Sequence, residues 1–224
     1  MGAMTTMEAI RVDAIPELTF DSKSQRWRYR DSRKFAPMAA VRSQANKYLT
    51  RQKDALVRAG RRYSDGKIDL PTFQREAAEH LKGIHLAQAI TALGKQSDLS
   101  PEIFLEVGRQ LKKQYYAGRD WETGGKYGLK HLAQDIKDGK VSPAQLTNRL
   151  TMYADSGKKS YWGVRHILAK RSGYTEAKRS LSIAEHCPEC LKYAGFGWVG
   201  INDVIPIGER CSCRGNCKCS IEYR

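Results

Sequence analysis

The sequence predicts a mainly α protein: a helical body preceded by a short N-terminal β-hairpin and followed by a small Cys-rich module. Three observations carry this expectation. Apolar side chains recur at helical spacing from residue 37 to about residue 171, aromatic and basic residues alternate at a period of two near Arg26, and all six cysteines of the 224-residue chain fall between Cys187 and Cys219. The expected division is an arm and hairpin over 1–36, a helical body over 37–175 and a Cys-rich module over 176–224.

Residues 1–22 contain Pro16 and alternate apolar with polar side chains from Ile10 to Ile15, which suits an extended arm. In the RWRYRDSRKFAP stretch, Trp27, Tyr29 and Phe35 interleave with Arg26, Arg28, Arg30, Arg33 and Lys34, and Asp31-Ser32 make a turn between two short strands. Alternation places Trp27 and Tyr29 on one face and the arginines on the other. Such a hairpin can be a basic clamp for phosphate or an acidic partner, or an amphipathic cap on the helical core, and both can hold at once.

Pro37 suits the first position of a long helix to about Arg62, because its fixed φ and missing N–H cost nothing there. Ala40, Tyr48, Ala55, Leu56 and Ala59 form a weak apolar stripe on it. Asp69-Leu70-Pro71 opens a second helix, to about Leu93, with Phe73, Ala77, Leu81, Ile84 and Ala87 along one side. His80 and His85 lie on this helix on different faces, and their spacing is not that of a helical metalloprotease motif, so both are packing or surface residues. Ser100-Pro101 caps a third helix over Ile103, Leu105, Val107 and Leu111. Glycines at 118, 124, 125 and 128 loosen the chain after Tyr116, and a short helix spans Leu129 to Ile136. Ser142-Pro143-Ala144-Gln145 is a capping box. Leu146, Leu150, Tyr153, Tyr161, Val164 and Leu168 then predict one long helix to about Arg171, with Gly157 and Gly163 as weak points.

The most particular chemistry lies at the end. Cys187 and Cys190 form a C-x-x-C pair, which sets two thiolates about one turn apart. Cys211, Cys213, Cys217 and Cys219 supply a second limb about twenty residues on, the spacing of a closed structural Zn²⁺ site. Gly195, Gly197, Gly200 and Gly208, with Pro206, suit turns and a hairpin between the limbs rather than a helix. Six thiols exceed the four that one ion needs, so some are spare or His186 replaces a sulfur. The expected set is Cys187 and Cys190 with two of Cys213, Cys217 and Cys219, which makes this a zinc-stapled module. A disulfide framework is the alternative, and thioredoxin-type redox chemistry a third; the latter motif opens a helix, whereas here a glycine-flanked loop is expected.

The net charge of +15 and a pI near 9.6 call for a polyanionic or strongly acidic neighbour. No run of about 18 apolar residues exists to span a membrane, and the first twenty residues show no apolar core of a secretory signal, so reduced thiols are expected. There is no Walker loop, dinucleotide fingerprint or G-x-S-x-G, and no nucleophile–base pair to nominate; the chain is not expected to be an enzyme or to take a small-molecule substrate.

Four stretches together carry a resemblance: WRYRDSRKF with its basic helix, LPTFQREAAEHLKGIHLAQAITALGK, SPAQLTNRLTMYADSGKKSYW, and EHCPECLKYAGFGW with IPIGERCSCRGNCKCSIEY. The chain resembles the tailed-phage and prophage minor head proteins of the head-morphogenesis type grouped with phage Mu protein F. The resemblance implies a structural virion protein, made in the host cytoplasm and built into the head near the portal. Its positive charge would face packaged DNA, or acidic head proteins such as the portal and major capsid protein. The family's metal pattern maps onto Cys187, Cys190, Cys213, Cys217 and Cys219, and Cys211 is an extra. A zinc-containing nucleic-acid-binding regulator is the alternative, although the cysteine spacing matches neither the C₂H₂ finger nor the Zn₂Cys₆ module.

Overall fold

A computed structural model describes residues 17–21, 24, 26–93, 100–116, 118–119, 126–213 and 217–224. The expected N-terminal arm, apart from 17–21, and the loosening glycines 124 and 125 lie outside these residues.

The hairpin pairs β1 (Leu18–Asp21) with β2 (Arg26–Tyr29), antiparallel, with Leu18 opposite Tyr29 and Asp21 opposite Arg26. This corrects the expected pairing: the main partner of 26–29 lies upstream. The Asp31-Ser32 turn does form, with Arg33 N–H bonded to the Tyr29 carbonyl at 2.9 Å, but its far limb is only a bridge between Arg28 and Phe35. Pro37, which cannot donate to a ladder, and the helix after it cut that limb short. Leu18 is fully buried, and Trp27 and Tyr29 pack on the helical core, so the hairpin does cap the body.

Helix α1 (Met38–Ser64) begins one residue later than expected. Pro37 is its cap, in extended backbone, and its carbonyl accepts from Val41. Asp65 and Gly66 end it, Gly66 at a φ of 70° that only glycine adopts without strain. Helix α2 (Leu70–Leu93) starts where the Asp69 carboxylate accepts from Thr72 N–H at 2.9 Å. All five residues expected on its apolar side are buried, and towards its C-terminus the burial closes round the helix to include His85, Leu86, Ala89, Ile90 and Leu93. It is the central helix, in contact with every other helix of the body.

In α3 (Pro101–Tyr116) the buried positions are Ile103, Val107, Gln110 and Gln114, at true helical spacing. Leu105, expected in the core, is 74% exposed: it sits two residues from Ile103, which is a strand interval and turns it to the opposite face. A two-residue hairpin of β3 (Gly118–Arg119) and β4 (Lys126–Tyr127) leads to α4 (Leu129–Lys137). The capping box at Ser142 is present in full and opens α5 (Pro143–Asp155).

The expected long helix does not continue. It breaks at Ser156-Gly157 and resumes as α6 (Lys158–Arg171). Gly157, Lys159 and Ser160 each donate to the carbonyl three residues back, which tightens the chain into a 3₁₀-type kink. A side chain at Gly157 would strike Ile84 of α2, so the glycine sits where α2 and the kink approach most closely.

The body holds two apolar clusters, one built around Ile90, Ile103 and Val164, the other around Phe73, Leu81 and Leu150. Between them a buried polar chain links four helices. His85 accepts from the Ser160 hydroxyl and donates to the Gln114 carbonyl oxygen, both at 2.7 Å, and Gln114 donates to the Tyr153 carbonyl. The Nδ1/Nε2 roles follow from Gln114 spending its amide on Tyr153. His80 bonds Gln52 at 2.7 Å.

The C-terminal module is a three-stranded antiparallel sheet, in the order β6 (Val199–Gly200), β5 (Glu176–Ser180) and β7 (Ser220–Tyr223), with one short helix α7 (Pro188–Gly195). Its apolar core reaches into the body through Ala169 and Trp162 of α6. Among the described residues, no helix is long and apolar enough to cross a membrane.

Candidate metal centre

Sheet register gathers the two cysteine limbs. β5 ends opposite the start of β7, with Ser180 facing Ser220, so Cys219 emerges at the edge where the chain leaves β5 for Cys187. The C-x-x-C pair is not in a glycine-flanked loop, as expected, but at a helix start: Cys187 is the cap residue of α7, Pro188 occupies the first turn and Cys190 lies one turn in. The loop placement that sets the pair apart from redox motifs therefore does not hold. The second limb is aimed by Gly208 and Arg210, both in the left-handed region at φ 74° and 49°; the Tyr193 hydroxyl on α7 donates to the Arg210 carbonyl and fixes the turn just before Cys211. Glu189 of α7 accepts from the Ser212 hydroxyl at 2.9 Å, tying the limbs together. Hydrogen bonds from the Cys187 thiol and from Ser212 hold the Glu189 carboxyl down to about 2.

All six cysteines are free thiols. The Cys187–Cys213 and Cys190–Cys213 sulfur pairs stand at 3.3 Å, beyond the roughly 2.05 Å of a disulfide. Cys187, Cys190, Cys211 and Cys213 have all their sulfurs within 4.8 Å of one another, with Cys211 to Cys213 at 3.7 Å. Ligand sulfurs about 2.3 Å from one tetrahedral ion stand about 3.8 Å apart, so this group can hold a metal ion. Cys211, left out of the expected set, is inside it; Cys217 and Cys219, expected as ligands, form with Cys190 a second group that meets the same distance limit. Nothing in the spacing separates Cys211 from its neighbours. Its inclusion depends on the left-handed turn at Arg210, which has no glycine to announce it.

The thiols are crowded as well as buried. Burial pushes Cys190 up to about 12 and Cys219 up to about 11, and Cys213 upward too. Cys211 is raised because its thiol donates to Cys217 and because it is buried, whereas Cys217, receiving that bond, is held down to about 4. One thiolate therefore raises the rest. A cation is needed to bring out several thiolates at once, and its binding releases protons.

One residue the sequence does not single out is Arg179. It points inward from β5, 2% exposed, with Nη1 3.6 Å from Cys190 Sγ, Nη2 bonded at 2.7 Å to the Ile205 and Pro206 carbonyls, and its guanidinium over the Tyr193 ring. All of these partners are neutral unless Cys190 is a thiolate. A buried guanidinium facing a thiol cluster is what a net-negative metal–thiolate site calls for. Arg179 shares the inward face of β5 with buried Ala177.

Arg26 and Arg28 of the hairpin both stack over the Phe35 ring. Arg26, Arg30, Arg33 and Lys34 are exposed, while half-buried Arg28 pairs with Asp21 at 2.8 Å. The chain matches no protein-family model, no curated protein and no solved structure.

Proposed function

We propose that the chain is a structural, non-enzymatic component of a tailed-phage head, seated near the portal, whose C-terminal module is held together by Zn²⁺. The observation that carries this is the joining of a tight cysteine cluster to a basic helical body, in the same order as the four stretches that resemble the phage minor head proteins. Zinc fits the donors: a closed set of soft thiolates, tetrahedral spacing and a buried cation beside it suit a structural ion with no open position for a substrate. The net charge of +15 then serves contact with packaged DNA or with acidic faces of the portal and major capsid protein.

The test is quantitative mass spectrometry of purified heads from the phage that encodes the chain. A fixed ratio to the portal protein supports the proposal, and absence from heads overturns it. The exposed Arg26, Arg30, Arg33 and Lys34 also suit a nucleic-acid-binding regulator. Binding to short duplexes separates the two. Sequence-blind affinity that falls steeply with salt fits a virion protein lying on DNA; strong discrimination between sequences fits a regulator.

A further inference from the structure

Once four sulfurs have taken one ion, an unused set of donors remains beside them. Cys217 and Cys219 are 3% and 4% exposed and lie in a second group whose other member is Cys190. Cys190 thus belongs to both groups, 3.3 Å from Cys213 on one side and 3.6 Å from Cys217 on the other. Buried cysteines can serve as small apolar side chains alone. His186 argues for more.

The His186 Nε2–H donates to the Ser182 carbonyl at 2.9 Å, which leaves Nδ1 as the bare nitrogen, 3.6 Å from Cys219 Sγ. The ring touches the group only through Cys219 and lies outside the 4.8 Å cluster of the three sulfurs, so it completes a tetrahedron by turning in towards Cys190 and Cys217 as an ion binds. An ion at about 2.3 Å from sulfur and about 2.05 Å from nitrogen, at the tetrahedral angle, sets those two atoms about 3.6 Å apart. Anchoring of the remote N–H on a backbone carbonyl is the arrangement that orients metal-bound imidazoles.

We infer that the module is a binuclear site. One ion is held by Cys187, Cys190, Cys211 and Cys213, a second by Cys190, Cys217, Cys219 and His186, and the Cys190 thiolate bridges them. This rests on the zinc reading above. Each ligating thiol gives its proton to solvent, and His186 contributes a lone pair. Six thiolates around two divalent ions leave two negative charges, and Arg179 sits 3.6 Å from the bridging sulfur to offset part of them.

The test is metal content per chain for the full-length protein purified under reducing conditions, followed by ¹¹³Cd NMR after exchange of the metal. Two ions per chain are expected, with two cadmium resonances split by each other through the shared sulfur. Cys219→Ser and His186→Ala should each lower the content from two ions to one. A single ion in the unsubstituted chain, with Cys217 and Cys219 open to alkylation while it is folded, overturns the binuclear site and leaves the single-zinc reading standing. No metal overturns both. Two ions retained by His186→Ala overturn the second ligand set. The unsubstituted chain decides the matter even where a variant fails to fold.

Discussion

In the helical body the largest fully buried side chains include Phe73, Leu56, Leu81, Ile84, Ile103, Leu132 and Leu150, contributed by five helices. In the core of the C-terminal module four of the ten buried residues are cysteines, and the apolar remainder is Ala177, Ile201, Val204, Ile207 and Ile221 with Ala169 contributed by α6 of the body. The body can close on hydrophobic burial alone. The module buries sulfur where a self-sufficient domain would bury leucine, and under the zinc proposal its fold depends on what the sulfur binds. Each region should therefore fail under a different insult.

The largest separation is expected from Cys190→Ser, which removes a ligand from both cysteine groups. Structural zinc sites supply about 10–16 kcal/mol of apparent binding free energy in small modules, far more than this core can replace. The variant should lose its metal and the amide protection of β5, α7 and β7, while the helical circular-dichroism signal of the body stays. Loss of both would join the regions into one core.

Phe73→Ala attacks the other side of the comparison. Phe73 is fully buried and stacks on Tyr63 at 5.3 Å, so its truncation should cost about 3–5 kcal/mol in urea unfolding of the body. Metal content should not change.

Acid separates the regions by mechanism. Burial holds His85 down to about 4 from 6.5. Above about pH 6.5 the ring is neutral in both folded and unfolded chains and adds no pH dependence. As pH falls towards 4 the unfolded chain binds a proton that the folded chain refuses, so body stability should fall by about 3 kcal/mol across that window. Urea unfolding of the chelator-treated chain measures this, and His85→Gln should flatten the slope.

The smallest effect is expected at the seam. Lys113 on α3 pairs with Glu209 of the module at 2.9 Å, half-exposed, so Lys113→Ala should cost less than about 1 kcal/mol and leave metal binding untouched.

The difference between the regions also governs how far each is legible in the sequence. Helices announce themselves through caps and period: Asp69, Ser100 and the Ser142 box mark starts that the structure keeps. Leu105 goes astray because an interval of two is not a helical one. The sequence marks the kink at Ser156-Gly157 only as a weak point, because a close approach of α2 decides it and that contact is non-local. In the module, the cysteines themselves are plain, and Pro188 is a legible helix start that the glycines obscure. The strand Glu176–Ser180 is hidden because its inward residues are Ala177 and Arg179, and an inward arginine makes sense only once the thiol cluster lies beside it. Which sulfurs stand together is set by the Ser180–Ser220 register and the Arg210 turn, neither of which a spacing rule contains.

The most direct test of a metal-dependent module on a self-sufficient body is amide hydrogen exchange of the reduced full-length chain, with and without a zinc chelator. Protection in β5, α7 and β7 should collapse on chelation while α1, α2, α5 and α6 keep theirs. Unchanged protection in the module, or collapse throughout the chain, would contradict a metal-dependent module on an independent body.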